Sequence, residues 1–367
     1  MVQDLALQRN KYKHLSDDEW RWFLQQVEGR ERTADKLPSF AAIEDWWYPV
    51  RLSCEQCSSE LAAMYKASLV SGDRMVDLTG GYGVDTYFMS EQFQHTDYVE
   101  QNSELCRIAA HNFSQKPISI HNSTAEDFLN TASLYDLIFL DPARRDSHGG
   151  KVFRLEGCTP NVVELLPVLL QHGKRLMIKL SPMLDLTQAV NALSQVTWDI
   201  HVVAIKNEVK EVLLLSGGSG QITAIDLAKK EQAFVFTREE EQKAQTQMVH
   251  GTLPDGTWMY EPNAAILKAG AYKLVGERFG LHKLDINTHL YTSENLVENF
   301  PGRVWQIQEQ LPNHKLQITN ANVLVRNYPL TAEQLKKKLH LRDGGTEYII
   351  GCRVNGKPTV LLAERCH

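Results

Sequence analysis

The residues that could do chemistry fall in three short stretches. The first is Asp77-Leu78-Thr79-Gly80-Gly81-Tyr82-Gly83-Val84-Asp85, between an apolar run and a helical pattern. Glycines at a strand-to-helix turn let backbone approach a ligand closely and adopt positive φ. The acid ahead of them suits a cationic or amine-bearing ligand. A dinucleotide fingerprint counted from Gly81 would place Thr86 at its third glycine, so that fingerprint fails, and no lysine follows as in a P-loop. The second stretch is Tyr98-Val99-Glu100, with Glu100 standing 17 residues after Gly83. An acid at about that spacing can accept both hydroxyls of a ribose; the plainer reading is a solvated strand-end carboxylate. The third is Asp141-Pro142-Ala143-Arg144-Arg145-Asp146, after the apolar run LIFL. Asp141 could accept a proton or orient a nucleophilic nitrogen or oxygen, or Asp-Pro could simply open a loop. Arg144 and Arg145 read equally well as surface charges or phosphate contacts. Lys179 and Ser181, ending the next apolar run, are the second place to look.

Other reactive groups offer less. Six cysteines are too few for a disulfide scaffold, and Cys54 and Cys57 form a single CEQC without the second pair that a zinc site needs, so no metal is expected. Two thiols on one helix face is the better reading. Cys158, in EGCTP, has no base beside it in sequence, which argues against covalent catalysis. Trp46, Trp47 and Tyr48 could stack on bases, but aromatics beside a helix are more often core.

The elements that must position these groups come next. A chain of 367 residues, 43% hydrophobic and 23% charged, is a folded protein of two or three domains. It holds no apolar run of membrane-spanning length, and the stretch MVQDLALQRNKYKHLSDDEW lacks the apolar core of a secretion signal, so a cytoplasmic location is expected. Residues 1–70 read as an N-terminal helical region, with Ser16 capping DDEWRWFLQQVEG and a second helix over SCEQCSSELAAMYKASLV. Over 71–217 strands and helices alternate: RMVDL, DYVEQ, ISIHNS, YDLIFLDP and RLMIKLSP are separated by helical patterns. Such alternation predicts a parallel, doubly wound sheet. The closing runs HVVAI and EVLLLS sit too close together for a crossover helix and must pair as an antiparallel hairpin. Residues 218–300 and 301–367 read as two small α+β domains. In the first, QITAIDL and AFVFT are strands and EPNAAILKAGAYKLVGERFG a helix. In the second are the strands VWQIQEQ and KLQITNANVLVRN, the helix TAEQLKKKLHL and a hairpin turning at Asn355-Gly356.

Charge divides unevenly. The chain carries −6 overall, yet residues 301–367 hold ten Lys/Arg against five Asp/Glu, leaving 29 against 40 elsewhere. A basic module on an acidic body hints at a polyanionic partner, with Lys336, Lys337, Lys338 and Arg342 as candidate contacts.

DLTGGYG, YVEQ, LIFLDPARRD and the hairpin IKNEVKEVLLLS together resemble a class I methyltransferase dependent on S-adenosylmethionine (SAM), over about residues 51–217. YEPNAAILKAGAYKLVGERFGLHKL and NVLVRNYPLTAEQLKKKLHLRDGGTEYIIG resemble bacterial methyltransferases with a ferredoxin-like domain (218–300) and a C-terminal THUMP-like domain (301–367). The resemblance implies SAM as cofactor. Asp77, Gly81 and Gly83 would line the methionyl end, Thr79, Gly80 and Asp85 would belong to the same cofactor site, and Glu100 would hold the ribose. Ser123, Ala125 and Glu126 would lie near the adenine, and Asp141 would face the acceptor. The family's loop is Asp-x-Gly-x-Gly-x-Gly, and Thr79 replaces its first glycine. DPAR departs from the Asn/Asp-Pro-Pro-Tyr/Phe of amino-group methylases and lacks the Pro-Cys of pyrimidine C5 methylases. The expected activity is direct, non-covalent methyl transfer to a nucleic-acid acceptor, a structured tRNA or rRNA. The alternatives are a protein or small-molecule acceptor, or a SAM- or RNA-binding protein without catalysis.

Overall fold

A computed structural model of the chain describes residues 9–131, 133–144, 155–228, 233–311 and 318–366. They divide into two compact units, 1–198 with 212–218 and 199–211 with 219–367.

The first unit opens with α1 (Asp17–Thr33), whose start is a capping box: Ser16 Oγ accepts the Glu19 N–H, and the Glu19 carboxylate accepts the Ser16 N–H at 2.7 Å. The single helix expected around the CEQC pair is two, α2 (Arg51–Gln56) and α3 (Glu60–Ser68). Cys57 ends the first in an extended conformation, and Ser59 caps the second through its side chain. A serine two residues past a helix end competes for backbone N–H groups and restarts the helix on a new axis. Cys54 and Cys57 therefore do not share a helix face.

The sheet of this unit contains β1 (Gly72–Asp77), β2 (Phe93–Glu100), β3 (Ile118–Asn122), β4 (Tyr135–Leu140) and β5 (Gly173–Leu180). They lie side by side as β3-β2-β1-β4-β5, all parallel. The connecting helices are α4 (Val84–Met89), α5 (Ser103–Asn112), α6 (Ala125–Leu129) and α7 (Val162–His172). Phe139, Leu140 and Ile138 of β4 are fully buried, as a central strand covered on both faces requires. Beyond β5 runs the second half of an antiparallel strand, Leu215 pairing Met177 and Val212 pairing Leu180. This is the doubly wound sheet with a terminal antiparallel strand that the resemblance implies.

The aromatic run is core. Tyr48 and Trp46 are buried, and both share a cluster with Phe40, Tyr82, Tyr98 and Phe113. Trp46 Nε1 donates to Tyr82 Oη at 2.8 Å, so the N-terminal helices brace the back of the glycine loop. Half-buried Trp47 stacks on His111 at 3.8 Å.

In the second unit, residues 199–205 of β6 (Trp198–Ile205) and 208–211 of β7 (Glu208–Ser216, whose remainder is the antiparallel strand beyond β5) are hydrogen-bonded neighbours joined by Lys206-Asn207, both at positive φ. That turn makes the expected hairpin. Strands β8 (Gln221–Asp226) and β9 (Phe234–Thr237) extend it: β8 is parallel to β6 and β9 antiparallel to β8. A separate seven-stranded sheet is built from β10 (Trp258–Pro262), β11 (His282–Asp285), β12 (Thr288–Ser293), β13 (Gly302–Gln310), β14 (Asn322–Arg326), β15 (Glu347–Val354) and β16 (Lys357–Arg365). Gly270, left-handed at φ 85°, splits the long helix expected over 261–280 into α8 (Ala264–Ala269) and α9 (Leu274–Arg278). The strand expected over 315–327 is described only from 318, and pairs only over β14. Helix α10 (Ala332–Lys338) connects the parallel pair β14 and β15. The β15–β16 hairpin turns at Asn355-Gly356, both left-handed.

Among the described residues no helix is long and apolar enough to cross a membrane.

Candidate active site

The glycine loop leaves β1 and enters α4. Leu78 N–H donates to the Phe139 carbonyl and Gly80 N–H to that of Val99, so the loop is pinned to both neighbouring strands. At Gly80 a Cβ would stand 2.2 Å from the Tyr98 ring. Gly83, at φ 82°, begins α4 in a left-handed conformation that favours glycine. A Cβ on Gly81 would meet nothing closer than the Thr79 carbonyl oxygen at 3.7 Å, so this residue leaves a bare backbone edge. That edge lines a cavity of about 330 Å³, within the range of small-molecule sites.

Asp77 works inward. Its Oδ1 accepts the Thr79 N–H at 2.9 Å and its Oδ2 the Thr86 hydroxyl at 2.6 Å. Burial pushes its carboxyl up to about 7, against those two hydrogen bonds, which lower it. Thr86, which defeated the dinucleotide fingerprint, thus holds the loop's first acid. Thr79, in place of a glycine, has a use for its hydroxyl: it accepts the Asp141 N–H at 2.6 Å and ties the loop to the Asp-Pro turn. Glu100 bridges two turns, taking the Gly81 N–H on Oε2 at 2.9 Å and the Asn102 N–H on Oε1 at 2.8 Å. A carboxylate offers about four acceptor positions, so two remain for a ligand.

The cavity brings together Asp77, Thr79, Gly80, Gly81, Gly83, Asp85, Glu100, Glu126 and Asp141. Ala125 is buried and is not among its lining residues. Of Arg144 only the backbone is described, in a short ladder with Cys158; Arg145 lies outside the described residues. The sequence pattern missed one wall, formed by Ser53, Gln56, Cys57 and Ser58 of the N-terminal helices. Burial pushes the Cys57 thiol up, and its S–H donates to the Cys54 carbonyl at 3.2 Å, so it is no ready thiolate. Cys158 is buried.

Asp85 is buried between two cations. Lys66 Nζ lies 3.2 Å from its Oδ1, Lys179 Nζ lies 3.4 Å from its Oδ2, and Ser58 Oγ donates to Oδ2 at 2.7 Å. Burial opposes the charge, but the two ammonium groups outweigh it and hold this carboxyl below the ordinary range. Lys179 also reaches Asp141 Oδ2 at 2.5 Å. No motif or spacing pointed to Lys66 or Ser58.

The basic helix belongs to the second unit. Lys337, Lys338 and Arg342 are exposed. Lys336 is not a free cation: it pairs with Glu333 and Asp343, each at 2.9 Å. Among the described residues no three His, Cys, Asp or Glu side chains converge as metal ligands.

Comparison with known proteins places this geometry in context. Residues 258–301 match a family described as a ferredoxin-like domain, and 302–365 one described as THUMP domain-like. Uncharacterized SAM-dependent methyltransferases from two strains of Mycobacterium tuberculosis, CDC 1551 and H37Rv, are 23% identical over 91% of this chain and 92% of theirs. A Porphyromonas gingivalis W83 protein, whose crystal structure is described as that of a candidate methyltransferase, is 31% identical with a TM-score of 0.86. That match covers 96% of this chain and 92% of the other. With that similarity running through both units, the chain belongs to the SAM-dependent methyltransferases that carry a ferredoxin-like and a THUMP-like domain.

Proposed function

We propose that the protein methylates a nucleic-acid acceptor, a structured RNA of the tRNA or rRNA kind, by direct transfer without a covalent enzyme intermediate. The observation that carries this reading is the placing of Asp141. Its carboxylate is 38% exposed on the wall of the cavity whose other side is the glycine loop, while Asp77 and Asp85 are buried. Asp77 and Asp85 shape the site from within, Glu100 and Glu126 stand on the side expected to hold the nucleoside, and Asp141 is left for an acceptor.

The cradle fits SAM on its own terms. The bare Gly81 edge leaves room where a side chain would intrude, and Glu100 keeps acceptor positions for ribose hydroxyls. Gly81 and Gly83 would line the methionyl end on a loop that Asp77 and Thr79 hold from within, with Glu126 toward the adenine. When bound, SAM supplies a methyl group already activated by its sulfonium. The chain's own work is then to exclude water, align the acceptor and accept or orient its proton at Asp141. Alignment contributes up to about 7–11 kcal/mol, and a general base roughly 10²–10⁴ in rate. Cys57 and Cys158, one protonated and one buried, support a route without a cysteine adduct.

The THUMP domain-like match and the basic surface of Lys337, Lys338 and Arg342 support RNA as the acceptor. Pairing of Lys336 with two acids weakens that surface and favours, as second reading, a protein acceptor. Incubation with tritiated SAM and separate deproteinised RNA and protein pools tests both. Label confined to RNA is expected; label confined to protein would overturn the RNA assignment.

A further inference from the structure

Asp141 ends a row of four alternating charges. Lys66, Asp85, Lys179 and Asp141 stand in sequence, each within 3.4 Å of the next, with 0%, 9%, 12% and 38% of the side chain exposed. The row is thus rooted in the core and surfaces only at its last carboxylate. Burying such ions is costly, and apolar residues of the same size often serve stability as well or better. The arrangement needs a reason beyond stability.

Donor counting supplies one. An ammonium has three N–H donors. Among the described residues Lys179 faces at least three acceptors: Asp141 Oδ2 at 2.5 Å, Ser58 Oγ at 3.2 Å and Asp85 Oδ2 at 3.4 Å. It has no donor left for a substrate. Ser58 is saturated in turn, accepting from Lys66 at 3.3 Å and from Lys179 while donating to Asp85. The cations behind Asp141 are committed to Asp85, Ser58 and Asp141 itself, so Lys179 holds Oδ2 of the Asp141 carboxylate and leaves Oδ1 toward the cavity.

We propose that Lys179 is a positioning residue for methyl transfer. Held by Asp85, Ser58 and Lys66, it clamps Asp141 Oδ2 and presents Oδ1 alone to the hydrogen of the acceptor's nucleophilic nitrogen or oxygen. The inference rests on the reading of Asp141 as the acceptor-facing group.

The test is a double-mutant cycle with Lys179→Met, which keeps length and removes the charge, and Asp141→Asn. Single-turnover methylation of deproteinised total RNA, from cells lacking the enzyme, is measured beside SAM affinity by calorimetry and thermal unfolding. Lys179→Met is expected to keep SAM affinity within about threefold, slow the transfer step by roughly 10²-fold and leave acceptor KM little changed. In the Asp141→Asn background the same change should slow transfer far less, because the amide takes no proton however it is held. Methylammonium should restore part of the rate to Lys179→Ala but not to Asp141→Asn. If Lys179→Met fails to fold, Lys179→Arg, which keeps the charge, carries the comparison and should retain most of the rate. A crystal structure of Lys179→Met should show Asp141 in more than one rotamer. Equal slowing by Lys179→Met in both backgrounds would make Lys179 a structural residue and overturn the proposal. Full activity in Asp141→Asn would instead overturn the reading beneath it.

Discussion

Two clusters of charge in this molecule obey different physics. In the first unit, Asp85, Lys179 and Asp141 on the cavity wall and Lys66 buried behind them come from four separate points of the sequence and meet largely out of water. On α10 of the second unit, Lys336, Lys337 and Lys338 are consecutive, and the exposed two stand in water. In the buried row each charge depends on its neighbours, so removing one is costly and its effect specific. On the exposed helix Lys337 and Lys338 are screened and act almost alone, while Lys336 is held by Glu333 and Asp343. The first cluster suits chemistry at one atom, the second a diffuse attraction to phosphates.

The sharpest way to break the contrast is at Asp141. Asparagine keeps its size and one acceptor oxygen but takes no proton. Asp141→Asn is expected to slow methylation by roughly 10²–10⁴ while SAM affinity stays within about threefold, by calorimetry and single-turnover rates. A large loss of affinity would make Asp141 a cofactor ligand instead. Next in size are the loop variants. Glu100→Ala removes a carboxylate that braces Gly81, and should weaken SAM by about 1.5–3 kcal/mol, roughly 10- to 150-fold. Gly81→Val should match or exceed it, since valine is strained at φ 55° and its side chain would stand in the cavity. Undiminished affinity in both would move the ligand elsewhere.

A smaller effect sharpens the comparison through pH. Asp77 titrates near 7 when folded, above its ordinary value of 3.8. Between those values the folded protein holds a proton that the unfolded chain has released. Stability from this group therefore falls as pH rises from about 4 to about 7 and is flat beyond. Asp77→Asn has nothing to release, and its amide oxygen can still accept the Thr79 N–H. Melting temperatures at pH 5 and pH 8 should shift in favour of Asp77→Asn at the higher pH. Parallel curves would show that Asp77 is not the buried titrating acid.

How much of this was legible follows the same divide. Features set by neighbours in sequence could be read: the Ser16 and Glu19 capping box, the apolar LIFL strand, the β6–β7 pairing and the Asn355-Gly356 turn. Where a local competitor broke the pattern, periodicity overran it. The expected helix through Cys57 stops because Ser59 starts another, and the one through Gly270 stops because glycine turns left-handed there. Of the cavity's lining residues, the glycine loop, Glu100 and Asp141 were expected together from type and spacing. Ser58 and Lys66 were not, because pairing between positions so far apart leaves no period. One trace existed: Ala62, Ala63, Lys66 and Ala67 form the buried face of α3, and a lysine on an otherwise alanine face needs a partner.

The smallest expected effect concerns the basic helix, where the paired state of Lys336 divides three apparently equal lysines into two kinds. Lys336 is only 16% exposed and shared by Glu333 and Asp343, so a phosphate would have to displace both acids to reach it. Lys337 and Lys338 carry no such cost. If RNA meets this face, its affinity should fall with salt, and each lost phosphate contact should flatten the log–log slope by about 0.7 on single strands. Lys337→Gln with Lys338→Gln is therefore expected to flatten the slope by up to about 1.4. Lys336→Gln should leave it almost unchanged. Filter binding of the same RNA between 50 and 200 mM salt reads both. Equal flattening by Lys336→Gln would mean that RNA breaks the ion pairs and uses the whole helix. A slope untouched by all three would make this helix a solvated face and the charge excess of residues 301–367 irrelevant to binding.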